Sequence, residues 1–531
     1  MQEVSENWKN AHKQSLLNES FVEISLDISD ADAQENAKPS DNGAIYISNS
    51  SNVTGEISTS SVYKPYATLE QNTWVLGFGD RDFLPESPKR KVGYVSDVLS
   101  DENCVFIDKT PTIILEFKEQ VNPLIPGVTI TWSTIYDEYA SDFIVRAYNG
   151  NEMVAEKEVI GNRSVKSLVL VDIENYTKIM IHVTRWCLPH HRARMEHIFL
   201  GMNRVYSKSD LFNYSHKQSV SPISTSLPKN EISFSVDNIN GEYNVHNEGG
   251  LAKYLMERQK VKVRYGLKMN DGTIEWVKGG EFYLSEWSAK QNGLTADFTA
   301  RDSIEFMSAI NTNFLDNVAK RSLWDMADYI LTDAKKENPL ISYSINTVLI
   351  NKYVSAPLPE DTLANCLQLI ANAGECVIYH DREGKLLIEP INDTETDYAI
   401  TPFNSYSKAE LTLSKPLKQV DVKVYSYTLT DGVINSTYTI THVVVGTTGE
   451  TIVIDNPLIT DVDRATSVGT WVANYLKNRM TLDSTWRADV RLDALDIVSI
   501  ENAYSTNKVR MTDVEFKYNG AFRGTGEGRV M

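Results

Sequence analysis

A mainly β, multidomain fold with α+β parts is what this sequence predicts, on three observations. The chain of 531 residues is too long for one hydrophobic core. Residues 219–306 carry strict period-two patterning, in which each strand buries one face and wets the other. Helical periodicity is confined to a few short stretches after residue 308 and at the N-terminus. In the patterned region Ile232, Phe234 and Val236 alternate with Ser233, Ser235 and Asp237. Val261, Val263 and Tyr265 alternate with Lys262 and Arg264, and Ala296, Phe298 and Ala300 with Thr295, Asp297 and Thr299. Asn240-Gly241, Asp271-Gly272 and Asn292-Gly293 stand between these runs, where hairpin turns need positive φ.

The remaining elements follow in order. Residues 5–17 predict a short helix with Trp8, Ala11 and Leu16 on its buried edge, and FVEISLDI at 21–28 a strand alternating Phe21 with Glu23. Residues 29–65 read as loops around a short strand, GAIYIS. From 75 to 205 the strands TPTIILEF, GVTITW, DFIVRAYN, SLVLVDI and KIMIHVTRW come at sandwich-like spacing. This segment looks like a jelly roll of the carbohydrate-binding, galactose-binding-like kind, inserted into a β-domain that begins near residue 20 and resumes near 206.

Leu323, Met326, Ala327, Ile330 and Leu331 then mark an amphipathic helix, with Ser322 and Asp325 placed as a capping box. Leu363, Cys366, Leu367, Ile370 and Ala371 mark a second helix that stops at Gly374, and a hairpin follows around Arg382-Glu383-Gly384. Beyond 408 come the strands VDVKVYSYTLT, INSTYTITHVVV, STWRADVRL, DIVSIEN and KVRMTDVEFKYNG, with one helix on Val468, Trp471, Val472, Tyr475 and Leu476. The division expected is 1–74 and 206–308 for the two parts of one β-domain, 75–205 for the insert, 309–407 for an α+β subdomain and 408–531 for a β-rich C-terminal subdomain.

Bulk properties exclude several function classes. A net charge of −19 argues against a nucleic-acid-binding surface, which needs Lys and Arg to neutralise phosphates. Cys104, Cys187, Cys366 and Cys376 form no CxxC and no regular framework, which fits synthesis in a reducing compartment. The N-terminus lacks an apolar signal core, and no segment approaches ~18–20 uninterrupted apolar residues. Synthesis in the cytoplasm, with no membrane segment, is therefore expected.

The chemistry-bearing residues assemble into no recognisable catalytic motif, so no catalytic, cofactor or metal residues are assigned. His182, Cys187, His190, His191 and His197 are the densest titratable cluster, but their spacing matches no structural zinc pattern. Asp137 with Glu138, Glu383 with Glu389, and Asp489 with Asp493 are the carboxylate pairs a glycosidase would need, in a chain whose 71 acidic residues always offer pairs. The glycine doublets at 249–250 and 279–280 read as turns rather than phosphate cradles, with close approach at a subunit contact the alternative for Gly279-Gly280. Trp132, Tyr136 and Tyr139, with Phe143, gather near one edge of the proposed jelly roll and are the candidate glycan contact; core packing explains Trp132 and Phe143 equally well.

The phrases SLPKNEISFSVDNINGEYN, EGGLAKYLMERQKVKVRYG and GGEFYLSEW leading into TARDSIEF resemble the hub proteins at the distal tip or baseplate of long bacteriophage tails. YATLEQNTWVLGFGDRDFLP at 66–85, KVGYVSDVLSDENCVF at 91–106 and LPHHRARMEHIFLG at 188–201 are similar to segments of such tail-associated proteins from phages of Firmicutes. The resemblance implies a hub of β-barrel-like domains, a homotrimer around a DNA channel, and a non-enzymatic short form, with any lytic activity in another protein. It implies as partners the distal tail protein and tail tube, the tape measure protein, and receptor-binding or fibre proteins. DNA would pass the channel non-specifically, kept from sticking by an acidic lumen. The place implied is the tail tip of the virion. Two rivals are a receptor-binding adhesin contacting cell-wall glycans through the jelly roll, and a secreted carbohydrate-active enzyme, which would need an export signal and a carboxylate-lined cleft.

Overall fold

The computed structural model describes residues 1–14, 18–45, 48–55, 70, 93–208, 210–224, 226–290, 293–311, 315–338, 341–502 and 504–531. Leu16, most of the 66–85 phrase and the end of GAIYIS lie outside the described residues. The chain divides into two units, one of Met1–Ser25, Val205–Gly250 and Val261–Met531, the other of Leu26–Arg204 and Leu251–Lys260.

In the first unit the patterned strands pair as consecutive neighbours. Glu231–Asp237 runs antiparallel to Thr295–Arg301, setting Ile232 opposite Ala300, Phe234 opposite Phe298 and Val236 opposite Ala296. The two phenylalanine rings lie nearly parallel with centroids 5.2 Å apart, a cross-strand pair of the kind that stabilises a sheet. Thr295–Arg301 pairs in turn with Ile274–Ala289. On its other side Glu231–Asp237 pairs with Leu211–Ser219, whose far edge takes Thr506–Tyr518. The last strands of the chain thus pair with a strand about three hundred residues earlier. Gly272 adopts φ +86° in the turn before Ile274–Ala289, as that hairpin requires. Strand Ser20–Ser29 also forms, but its buried face carries Val22, Ile24, Leu26 and Ile28; Phe21 and Glu23 share the other face.

The β-barrel-like domains expected from the family resemblance do not form. The large sheet has thirteen strands, eleven of them along an open path from Gly201–Tyr206 to Glu410–Leu413, and among the described residues no pairing joins its ends. A barrel needs terminal strands long enough to pair at a fixed stagger. Here one end is a four-residue strand, exposed throughout. The sheet also forks at Thr506–Tyr518: residues 513–518 pair with Leu211–Ser219 while residues 506–510 pair with Ile497–Glu501. One edge shared between two partners splays a sheet instead of closing it.

The C-terminal FRGTGEGRV is a full strand, Phe522–Val530, between Thr506–Tyr518 and Met480–Arg487. Its glycines answer to packing. A Cβ on Gly524 would lie 2.6 Å from the Trp486 ring and one on Gly528 would lie 2.5 Å from Val509 Cγ1.

The α+β part gathers around a second core. Helices Leu323–Glu337 and Leu363–Ala373 and the hairpin Val377–His380/Leu386–Glu389 share it with the sheet of Leu417–Thr430, Val433–Val444 and Glu450–Ile454 under helix Val462–Tyr475. Ser322 Oγ accepts the Asp325 N–H at 3.0 Å, capping the first helix. Gly374 ends the second, but with φ −91°; the left-handed residue is Glu375 at φ +57°. Glycine is needed at 374 because a Cβ there would lie 2.2 Å from Leu349 Cδ2.

The second unit sets two antiparallel sheets over one core. Lys38–Asp41, Thr112–Val121, Tyr176–Trp186, Ala140–Asn149 and Glu152–Val159 form one, in that order; His197–Phe199, Ile125–Thr131 and Lys166–Ile173 form the other. Ile113, Leu115, Phe143 and Ile181 from the first meet Val128, Ile130, Val169 and Ile198 from the second, all essentially inaccessible to solvent.

Replacing Gly524 by Ala should cost about 1–3 kcal/mol through overpacking against Trp486, read as a shift in urea-denaturation midpoint with unchanged slope.

Candidate functional site

Arg382, at the tip of the hairpin Val377–His380/Leu386–Glu389, is buried among main-chain carbonyls. Its Nε donates to Asp493 Oδ1 at 2.6 Å, Nη1 to Lys278 O at 2.9 Å, and Nη2 to Val490 O and Leu492 O at 2.9 and 3.0 Å. Arginine suits the place because its planar fork reaches several acceptors at once, which an ammonium does not. Beside it Tyr265 OH meets Tyr214 OH at 2.6 Å and His216 Nδ1 at 2.8 Å. Burial pushes the Tyr265 phenol up to about 12. Burial, with the Arg382 charge adding to it, drives the His216 pKa well below the ordinary histidine value, so the ring is neutral. Every polar group here is engaged with another part of the same chain, an arrangement that locks segments together.

A second buried arrangement has the outline of a nucleophile and its base. Ser303 Oγ lies 2.7 Å from His380 Nε2, and His380 Nδ1 lies 3.3 Å from Asp302 Oδ2 without the alignment of a hydrogen bond. Ser303 and Asp302 are each 1% exposed, so no substrate reaches the hydroxyl. Asp302 is also committed to backbone: it accepts the Asn230 N–H at 2.8 Å and the Ile304 N–H at 3.1 Å, capping the turn Ser303–Met307. Sequence reasoning missed this cluster because seventy-seven residues separate serine from histidine. Its geometry is that of a clamp.

In the second unit Glu138 is the hub of the corresponding network. Its carboxylate accepts from His191 Nδ1 at 2.9 Å, Trp186 Nε1 at 2.8 Å and Arg194 Nη1 at 3.0 Å, and Arg194 also pairs with Glu70. Burial raises the Glu138 pKa, but the His191 hydrogen bond, the Arg194 charge and the Trp186 hydrogen bond outweigh it and hold the carboxyl below its usual range. Its neighbour Asp137 sits exposed in a turn at φ +54°. The other carboxylates weighed for catalysis are likewise engaged. Glu383 pairs with Lys278 at 2.5 Å, Glu389 accepts from Tyr379 OH at 3.1 Å, and Asp489 is chelated by Arg491 through Nε at 3.0 and 2.9 Å.

The histidine–cysteine cluster does not converge. His182 is held by Thr112 Oγ1 at 2.9 Å, His191 by Glu138, and Cys187 Sγ accepts the Tyr139 N–H at 3.3 Å. Among the described residues no group of three or more His, Cys, Asp or Glu is placed to hold a metal ion. Burial pushes the Cys187 thiol up to about 11 and those of Cys366 and Cys376 up to about 12, so all three stay protonated at neutral pH. Gly279 makes its close approach within the chain, a Cβ there falling 2.7 Å from Val263 Cγ1. Gly250 packs in a turn against Glu242 O.

Of the candidate glycan contacts, Trp132 is fully buried, with Nε1 donating to Ser167 Oγ at 2.7 Å and its ring edge-on to Phe143 and Trp186. Tyr136 is half-buried, with the Arg194 guanidinium 4.5 Å from its ring centroid, and Tyr139 is half-buried against the core. Among the described residues no helix is long and apolar enough to cross a membrane.

Because the folded state disfavours His216 protonation, the unfolded chain takes that proton first as pH falls below about 6.5. Stability is therefore fully present above that pH and declines below it. Thermal melts from pH 7.5 to 5 should show this decline, and His216→Asn should flatten it while leaving the contribution of His12, also lowered by burial, in place.

No protein-family model and no curated protein matches the sequence. Solved structures to which the chain is similar include the 43 kDa tail protein of prophage MuSo2 from Shewanella oneidensis, at 12% identity and a TM-score of 0.44 over 61% of this chain and 95% of that one. A tail protein from Neisseria meningitidis MC58 gives 9% identity and 0.41 over 62% and 93%. Prophage tail protein gp18 from Listeria monocytogenes EGD-e gives 12% and 0.39 over 61% and 91%. They come from three hosts and single out no one phage family. At TM-scores under 0.5 these likenesses by themselves assign no function.

Proposed function

We propose that this chain is a structural, non-catalytic hub of a bacteriophage tail tip or baseplate, which joins the tail tube to host-recognition components. The observation that carries the reading is the segment 219–306. Its phrases resemble those of hub proteins, and its strands lie side by side in the middle of the large sheet, extended on one side by Ser20–Ser29 and on the other, through Leu211–Ser219, by Thr506–Tyr518. The buried networks support a structural role: the charged groups that chemistry would use are spent on holding segments of the chain together. The domain division at 75, 206, 309 and 408 belongs to the same proposal.

In this reading three copies close a ring around the DNA channel, contacting the distal tail protein, tail tube and tape measure protein on one side and receptor-binding or fibre proteins on the other. The net charge of −19 gives the ring's lumen a surface that repels the phosphate backbone during passage. A weak cell-wall glycan contact, the adhesin reading, rests on the half-exposed rings of Tyr136 and Tyr139.

Electron microscopy of purified tails, with antibody labelling of this chain, tests the proposal. Label at the axial tip with threefold density is the expected result. Label confined to peripheral fibres, or absent from tails, overturns it in favour of the adhesin or of no tail role.

A further inference from the structure

The hairpin Leu417–Thr430/Val433–Val444 extends beyond the helix that covers it. Val420, Val422 and Val424 are buried in the core they share with helix Val462–Tyr475. From Thr428 to Ile440, by contrast, every residue except Ile434 is exposed. A two-stranded ribbon without a packed face is marginal in water, so this arm is not stabilised by what surrounds it in one chain. Among the described residues Val433–Val444 is also an edge strand, paired with Leu417–Thr430 on one side only.

The edge carries none of the features that keep a strand from recruiting another. From Val433 to Val445 there is no Asp, Glu, Lys, Arg, Pro or Gly, in a chain that is 23% charged. Val433, Tyr438, Ile440, Val444 and Val445 are between 45% and 71% exposed. Free main-chain donors and acceptors, β-branched side chains and no charge are the chemistry of a strand that expects another strand.

We propose that this arm pairs through its Val433–Val444 edge with a strand edge of a second copy of the chain. Charge selects the occupant. Two copies at −19 each repel one another, so close approach costs least where carboxylates are absent. A basic partner would instead be drawn to the acidic surface. The proposal deepens the ring-forming hub reading and rests on it only for the number of copies.

Sedimentation and light scattering on the purified full-length chain test it, with Ile440→Lys and Val444→Lys as variants and Leu170→Lys, at an exposed apolar position of the other unit, as control. The wild type should associate, more tightly as salt screens the repulsion. Each arm variant should weaken association at least about tenfold with unchanged circular dichroism and melting temperature, and the control should not. Amide exchange at 433–444 should be slow in the oligomer and fast on dilution. Association that survives both arm variants, that weakens with salt, or that does not occur at the highest soluble concentration overturns the proposal. A monomer still found on the tail axis refutes the arm pairing and leaves the hub standing; an oligomer held by this strand but absent from tails does the reverse.

Discussion

A guanidinium cannot be left unpaired away from water, and the burial of Arg382 sets the terms for much of the first unit. Its acceptors come from Lys278 and from the segment of Val490, Leu492 and Asp493, two stretches of chain that have no local reason to meet each other or the hairpin tip. Removing a buried charge from water costs several kcal/mol, recovered only when all the donors find partners together. The hairpin tip, the strand Ile274–Ala289 and the segment before Ile497–Glu501 therefore dock as a set. Tyr265, Tyr214 and His216 extend the same constraint across strands Lys260–Lys268 and Leu211–Ser219.

The second unit solves the same problem with the opposite sign. Glu138 is the buried ion, and a histidine, an arginine and an indole N–H satisfy it. Both networks place titratable residues in the outlines that catalytic sites use, as does the Ser303–His380–Asp302 line. What marks the Arg382 and Glu138 networks as structural is commitment: the guanidinium and the carboxylate at their centres are taken up by hydrogen bonds to other parts of the fold.

Exposure tells the complementary story. Charged groups are drawn into pairs over much of the surface, while the strand at 433–445 carries no Asp, Glu, Lys or Arg. In an acidic chain, an uncharged strip is the place where contact between like copies costs least.

Local periodicity was enough to read the strands of 219–306, the two helices beginning at Leu323 and Leu363, and the five strands between 110 and 186, because side-chain alternation and helical spacing are properties of adjacent residues. It failed where the deciding partner is distant. FRGTGEGRV draws no strand assignment, and the reason for its glycines is that Trp486 and Val509 occupy the space their missing side chains leave. Gly374 looks like a left-handed cap, yet Leu349 is what requires it. The barrel expectation failed because closure depends on which strand edges meet, and the fork at Thr506–Tyr518 comes from one partner about three hundred residues away and another next to it in sequence. Composition alone determined the charge and the uncharged stretch at 433–445. That this stretch is an unpaired edge, and that Arg382 is a buried tie, only the tertiary structure decided, since both are facts about neighbours brought together by the fold.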